Sequence, residues 1–355
     1  MFLKFLFRYI IFGLVFFFQV VYSQEEKEYK INTIAFYNLE NLFDTKDDPV
    51  TFDDDRTPKG KDHWTLEFYK DKIQNMAKVI SVIGADIAQN APVILGVAEV
   101  ENRKVLEDLV NDPEILNKNY GIIHFDSPDR RGIDVGLLYQ KALFKPTKTK
   151  TYELPIYDNN TSKRIYTRDQ LVVSGYLDGD MIHIIVNHWP SRRGGTSRSN
   201  YKRERAARLN KKIADSLFAL DPYAKIIIMG DFNDDPKSAS LSKILNAKTH
   251  KKETTLKELY NPMAGMIKKG GGSLAWRDSW IIFDQIIVSK ELLDKNHNEY
   301  RYYKAGIFNE EFLTTSRGKY KGYPFRSYSN GAYTGGYSDH FPVYIYLIKQ
   351  KKESR

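Results

Sequence analysis

The chain has 355 residues and no cysteine, which closes off both a disulfide framework and a thiolate metal site. Its stability must come from a packed core, and any metal must sit on oxygen or nitrogen ligands. Such a donor set favours Mg2+, Mn2+ or Ca2+. No HxH or HExxH pair, G-x-S-x-G elbow or Walker A loop occurs, which argues against a zinc phospholipase or protease, a serine hydrolase and a P-loop enzyme. No repeat and no Pro/Gly/Ser linker divides the chain, and beyond the first residues no apolar stretch is long enough to span a bilayer.

The amino terminus carries Lys4 and Arg8, then the apolar stretch Tyr9 to Val21, then Val-Tyr-Ser before the charged "QEEKEYK". This is the shape of a secretory leader cleaved after Ser23, with an apolar core shorter than the roughly 20 residues of a membrane span. The expectation is an exported protein, periplasmic or extracellular. It consists of a leader at residues 1–23 and one domain at residues 24–355 that ends in a short basic tail, 349–355. Loss of Lys4 and Arg8 lowers the formal charge from +9 to +7. A basic exported protein suits a polyanionic partner, nucleic acid or anionic lipid.

Several short apolar runs end abruptly in polar residues. Ile31 to Tyr37 reads as a strand ending at Asn38, and "PVILGVAEVEN" as a buried strand ending at Glu99, with Glu101 and Asn102 opening a helix. "GIDVGLLY" (Gly132 to Tyr139), "LVVSGYL" (Leu171 to Leu177) and "MIHIIVNHW" (Met181 to Trp189) are three more strands, the last delivering His188. Lys225 to Met229 runs into Asp231 and Asn233, "FDQIIVS" opens with Asp284, and "FPVYIYLI" follows Asp339 and His340. Helical spacing marks Leu66 to Ile83, and a strongly charged helix is expected over about Tyr201 to Leu220. The pattern predicts layered α/β architecture, two mixed sheets face to face with helices outside.

Asp231 and Asn233 are two residues apart, so on extended backbone they point the same way and could share an ion. Alone, the pair reads equally well as an Asx-rich turn. An EF-hand fits worse, because Pro236 stands where its glycine should be and Ser242 where its closing glutamate should be. Taken together, the strand-end residues form a cluster of carboxylates and amides with two histidines. His63, His124, His183, His250 and His297 fall outside it, and His183, an odd separation from His188, faces the other side of the strand.

In order along residues 31 to 348, "NLENLFD", "GVAEVEN", "RRGIDVGLLY", "VNHWPSRRGG", "GDFND", "FDQIIVS" and "YSDH" resemble the motifs of the endonuclease/exonuclease/phosphatase superfamily. The resemblance implies a four-layered α/β/β/α sandwich, a divalent metal, usually Mg2+, and hydrolysis of phosphate esters. It casts Asn38 and Glu99 as metal ligands, Asp339 as a further metal-side acid, Asp231 and Asn233 as the "GDFN" pair, and Asp284 as the acid that orients the catalytic His340. His188 takes the place of a second histidine, with Asp134 as its candidate partner.

"SRRGGTSRSNYKRERAAR" follows His188 and holds seven Arg/Lys against one Glu. Arg192 and Arg193 lie in its glycine-containing loop, where guanidinium forks could bind phosphate. Trp276, Trp280, Tyr323, Tyr328 and Tyr333 sit on loops where they could stack on bases or pack as rims. Asp53, Asp54 and Asp55 read as a solvated loop rather than a second ion site. The leading expectation is a monomeric nuclease acting on DNA or RNA. The alternatives are a phospholipid phosphodiesterase or phosphatase of the same fold, and a non-catalytic binding protein. The signature of the last, loss of a metal acid or histidine, is absent.

Overall fold

The computed structural model describes residues 27–267 and 271–351, so the leader predicted at residues 1–23 lies outside the described residues. Two mixed sheets form the centre. In chain order their strands are β1 (Tyr29–Leu42), β2 (Ile94–Val100), β3 (Tyr120–His124), β4 (Asp134–Gln140), β5 (Phe144–Tyr152), β6 (Gln170–Leu177), β7 (Asp180–His188), β8 (Ile226–Asp231), β9 (Ala247–Lys248), β10 (Leu259–Tyr260), β11 (Asp284–Ser289), β12 (Arg301–Ile307) and β13 (Val343–Gln350). The six-stranded sheet runs β12-β13-β1-β2-β4-β3 and the seven-stranded sheet β9-β10-β11-β8-β7-β6-β5.

The two sheets repeat one arrangement. Each has a parallel pair near its centre, β1 with β2 and β7 with β8. Each parallel pair is flanked by an antiparallel strand, β13 beside β1 and β11 beside β8. The carboxyl ends of the parallel strands therefore meet the starts of β13 and β11 at one end of the sandwich, where loop-borne chemistry collects.

Period-two alternation explains the continuous apolar runs. Ile227 and Met229 of β8 enter the core between the sheets, with Ile34 and Phe36 of β1 and Ile184 and Val186 of β7. Ile226 and Ile228 point the other way, into a second core beneath helix α3 (Thr196–Leu220). Both faces of the strand are buried, so neither accepts polar residues. A third core lies under α1 (Leu66–Val82) and α2 (Arg103–Val110) on the far side of the first sheet. The layers are therefore α/β/β/α, as the resemblance implied. At Gly96 the sheets come so close that an added Cβ would lie 2.5 Å from Met229 Sδ.

Capping fixes where the helices begin. Thr65 accepts from the Phe68 amide at 3.2 Å to start α1, and Asn102 from Val105 at 3.0 Å to start α2. Helix α3 begins five residues before the predicted Tyr201, because Ser199, Arg203, Ala206, Ala207 and Asn210 continue one buried stripe towards its amino end. At the carboxyl end Lys349 and Gln350, counted in the basic tail, pair with Lys30 and Tyr29 as the last rungs of β13.

Candidate active site

The second sheet delivers its polar residues in one row. Asp231 is the register partner of His188 on β7 and of Asp284 on β11. The last residue of each parallel strand and the first residue of the antiparallel one therefore stand side by side. The first sheet ends less regularly. Its β1/β2 register shifts after Asn38, and the backbone turns left-handed at Glu40 (φ 48°), Asn41 (φ 54°) and Glu99 (φ 59°). Such conformations are uncommon outside glycine, least so for Asn and more costly for Glu, and collect at functional sites. Here they bend Asn38 and Glu99 towards the other sheet. Asn233, at φ 50°, is also left-handed in the loop after β8.

The side chains converge. Asn38 Nδ2 donates to Asp231 Oδ2 at 3.2 Å across the two sheets. His188 Nε2 lies 3.6 Å from Asp231 Oδ2 and 3.8 Å from Glu99 Oε1. His340 Nδ1 is 2.6 Å from Asp284 Oδ2, and its Nε2 is 3.9 Å from Asp339 Oδ1. Asp231 Oδ1 accepts from the Asn233 amide at 2.9 Å, while Asn233 Nδ2 donates to the Trp189 carbonyl at 3.0 Å. Ser338 ties the His340 loop to β1 by donating to the Asn38 carbonyl at 2.7 Å.

The buried His188 and the half-buried His340 carry opposite charge preferences. Burial, the guanidinium charges of Arg168 and Arg131, and His340 hold His188 well below the usual imidazole range. Burial alone would lower His340 too. The Asp284 carboxylate, its hydrogen bond, and the charges of Asp339 and Asp231 outweigh that and raise the ring well above its ordinary value. Burial, then the neighbouring Asp284, pushes Asp231 up to about 7 against the opposing pull of His340. Environments that drive neighbouring titratable groups apart are how a site divides acid and base roles.

The donor set suits a hard divalent cation. Glu99 spends Oε2 on the Asn41 amide (3.0 Å) and Asp339 spends Oδ2 on Arg326 (3.2 Å), and each keeps its other oxygen out of these bonds. Asn38 Oδ1 accepts from Glu40 at 3.0 Å and retains a second lone pair. Asp284 Oδ1 and His188 Nδ1 are buried without a protein partner. Asp231, Asp284 and His340 also bring one ligand atom each within 4.8 Å of one another. That rival seat is partly used up by the short His340–Asp284 bond.

Three sequence assignments are corrected. Asp134 does not serve His188: its Oδ2 lies 3.1 Å from His124 Nε2, and its Oδ1 accepts from the Ser127 amide at 2.8 Å. His124 closes β3, the strand hydrogen-bonded to β4, whereas His188 ends a strand of the other sheet. Arg192 is not free to clamp phosphate. Its guanidinium binds the Asn233 carbonyl at 3.0 Å, Asp234 at 3.0 Å and Asp235 at 3.1 Å, and lies over the Phe283 ring. Arg193 stays exposed. Asp53, read as solvated, is buried and accepts from the Asp48 amide and the Thr51 hydroxyl.

Residues not singled out in the sequence brace the site. Buried Asp234 is clasped between Arg192 and the fully buried Arg203 of α3, 2.9 Å away, and accepts from Ser240 at 2.6 Å. On the other side, fully buried Lys72 of α1 donates to Ser327 Oγ at 2.9 Å and to the Tyr337 carbonyl at 2.6 Å. Ser327 passes the contact on to Glu40 at 2.8 Å, and Arg326 joins Glu40 to Asp339.

Solved structures share this fold at low identity. An endonuclease/exonuclease/phosphatase family protein from Bacteroides thetaiotaomicron superposes with a TM-score of 0.53 at 16% identity, covering 92% of this chain and 97% of that one. A mannosyl-6-phosphatase from the same organism gives 0.52 at 16%, covering 89% and 99%. D. rerio TDP2 complexed with a single-strand DNA product gives 0.51 at 13%, covering 89% and 98%. At these identities the likeness is one of fold. No curated protein matches the chain. The family model described as Endonuclease/Exonuclease/phosphatase family matches residues 33–349, nearly the whole described chain, and the protein belongs to that family.

Proposed function

We propose that this phosphoesterase is an exported, divalent-metal-dependent phosphodiesterase whose substrate is DNA or RNA. The observation that carries the reading is the convergence of Asn38, Glu99 and Asp339 with Asp231, Asn233, Asp284, His188 and His340 at one end of the sandwich. Phosphate ester hydrolysis is slow enough that an enzyme must remove a barrier near the top of the ~8 to 23 kcal/mol range. One positioned acid or base supplies only about 10² to 10⁴-fold. The oxygens of Asn38, Glu99 and Asp339 would hold the ion, Mg2+ or a similar hard cation, which when bound would neutralise charge on the non-bridging oxygens.

The protein's own groups divide the remaining work. With Nδ1 tied to Asp284, His340 turns Nε2 to the substrate and donates a hydrogen bond to a phosphoryl oxygen. Asp231, held in orientation by Asn38 and the Asn233 amide, accepts the proton of the attacking water. His188, buried and neutral, places Nε2 between Glu99 and Asp231 to hydrogen-bond the phosphate or the departing oxygen. The basic charge of the mature chain and the DNA-bound TDP2 relative support a nucleic acid substrate over phospholipid.

The mannosyl-6-phosphatase relative supports a second reading, a phosphomonoesterase of the same site. Turnover of plasmid DNA, RNA, sphingomyelin, bis-p-nitrophenyl phosphate and mannose 6-phosphate, each with Mg2+ and with chelator, separates them. The diester and nucleic acid should be cleaved only with metal. Turnover of the monoester alone would replace the nuclease reading with the phosphatase one.

A further inference from the structure

Of the aromatic residues singled out in the sequence, the structure half-buries Trp280, Tyr323, Tyr328 and Tyr333 and leaves Trp276 facing solvent. Tyr328 and Tyr333 pack on Trp64, and Tyr333 also stacks on Phe68 at 4.6 Å. Trp276 is 63% exposed at the tip of the hairpin Leu274–Trp276/Ser279–Ile281, and Tyr320 is 54% exposed on the neighbouring loop. The two tips are fastened together. Tyr323 donates to Asp278 at 2.7 Å, and the loop is closed by the bonds from the Thr315 amide to the Tyr323 carbonyl and from the Gly322 amide to the Thr315 carbonyl.

This surface is continuous with the candidate active site. Rings follow one another from Tyr320 to Tyr323 (5.7 Å), Trp280 (5.9 Å) and Phe341 (6.0 Å), the residue after His340. Ser273, at the base of the hairpin, accepts from the amides of Phe283 and Asp284 at 3.2 Å through its hydroxyl, and from Phe341 at 2.6 Å through its carbonyl. The hairpin is thus anchored to Asp284 and to Phe341, the neighbour of His340 in the chain. Arg277, Arg317, Lys319 and Lys321 are exposed on the two tips. Their local acid, Asp278, is engaged by Tyr323.

We infer that the hairpin tip at Trp276 and Arg277, with the 316–321 loop, forms a stacking platform for unpaired bases of a single strand, its phosphates meeting Arg277, Arg317, Lys319 and Lys321. The inference rests on the nuclease reading and adds to it the form of nucleic acid held next to the bond cleaved. Arg277 sits 5.7 Å over the Trp276 ring and Lys319 5.7 Å over Tyr320. Each exposed ring thus has a cation beside it that an adjoining phosphate can share. Exposed aromatic faces among cations are how proteins hold single strands without regard to sequence. A membrane surface fits less well, since neither tip exposes an aliphatic side chain to enter acyl chains.

Binding of a fluorescein-labelled oligothymidylate to the mature chain in EDTA, where cleavage is blocked, tests the platform. Trp276→Ala and Tyr320→Ala should each weaken binding at least about fivefold. Trp276→Phe should keep most of the affinity, and Arg277→Ala with Lys319→Ala should lower the salt slope by roughly 0.7 per charge. Turnover of bis-p-nitrophenyl phosphate, too small to reach the tips, should stay unchanged in all of them. Wild-type protein that ignores the oligonucleotide, or a Trp276→Ala/Tyr320→Ala variant that binds it as wild type does, overturns the inference. So does loss of binding to phosphatidylserine vesicles with oligonucleotide affinity intact, which makes the tips a membrane contact. If the platform variants lose oligonucleotide affinity while wild-type protein with Mg2+ cleaves no nucleic acid, the nuclease reading fails and the platform stands.

Discussion

The two sheets reach the site in different ways. The first sheet ends in irregular backbone, with three left-handed residues, and contributes oxygens: Asn38, Glu99 and, from the loop before β13, Asp339. The second ends in a straight row of His188, Asp231 and Asp284, set by strand register. Their braces are opposite in sign as well. A buried anion, Asp234, locks the second half between two guanidiniums, and a buried cation, Lys72, locks the first through Ser327 and Glu40. The contrast fits the proposed division of labour: the oxygens of the first half would seat an ion, and the row of the second, joined by His340 reaching across to Asp284, would move protons.

The largest effect should come from the proton-handling half, to which the loop before β13 lends His340 from the first sheet. His340→Ala should lower kcat for a diester by about 10² to 10⁴-fold with a much smaller change in KM, read by steady-state kinetics with saturating metal. An equal rise in KM with kcat intact would make His340 a binding group and blur the division. Next is the brace of that half. Asp234→Ala leaves Arg203 buried without its partner and should cost about 3 to 5 kcal/mol in urea unfolding. A loss under about 1 kcal/mol would show that the clasp is not what holds the loop after β8.

The brace of the ion-seating half gives a pH signature. Burial pushes Lys72 down to about 8, opposed by the charges of Glu40 and Asp339. Its folded value therefore lies below the unfolded one of ~10.4, and the unfolded chain binds the extra proton between them. Stability from this group should rise as pH climbs from about 8 to 10.4, by on the order of 3 kcal/mol. Lys72→Met should remove that rise when metal-free protein is unfolded at several pH values, and an unchanged profile would mean that Lys72 is not desolvated. The smallest effect concerns the arginines after His188. With DNA as substrate, Arg192→Ala should leave the salt dependence of turnover almost unchanged, because its charge is spent on Asp234 and Asp235. Arg193→Ala should shallow the slope by about 0.9 on duplex DNA.

The strand-end residues were legible because apolar runs buried on both faces stop abruptly at them, as at Met229 before Asp231. What stayed hidden was pairing. Strand β5 (Phe144–Tyr152) is an edge strand of largely exposed Lys and Thr, with no apolar signal to mark it. Strand β3 is five residues long, and without it His124 had no place next to Asp134. That is why Asp134 was matched to the wrong histidine. The braces join residues far apart in the chain, 255 positions between Lys72 and Ser327. A lone Lys in a helix, or an Arg beside glycines, does not announce its partner. Arg192 was read from its charge, whereas its role follows from the carboxylates it meets.

The division between the halves is tested most directly by Mn2+ binding, followed by calorimetry and electron paramagnetic resonance on wild type, Glu99→Gln and His340→Gln. The oxygen seat predicts that Glu99→Gln loses the ion at least about tenfold while His340→Gln keeps it within about threefold, with diester hydrolysis lost in both. If His340→Gln loses the ion and Glu99→Gln retains it, the cation belongs to the Asp231, Asp284 and His340 cluster, and the division drawn between the two sheets is wrong.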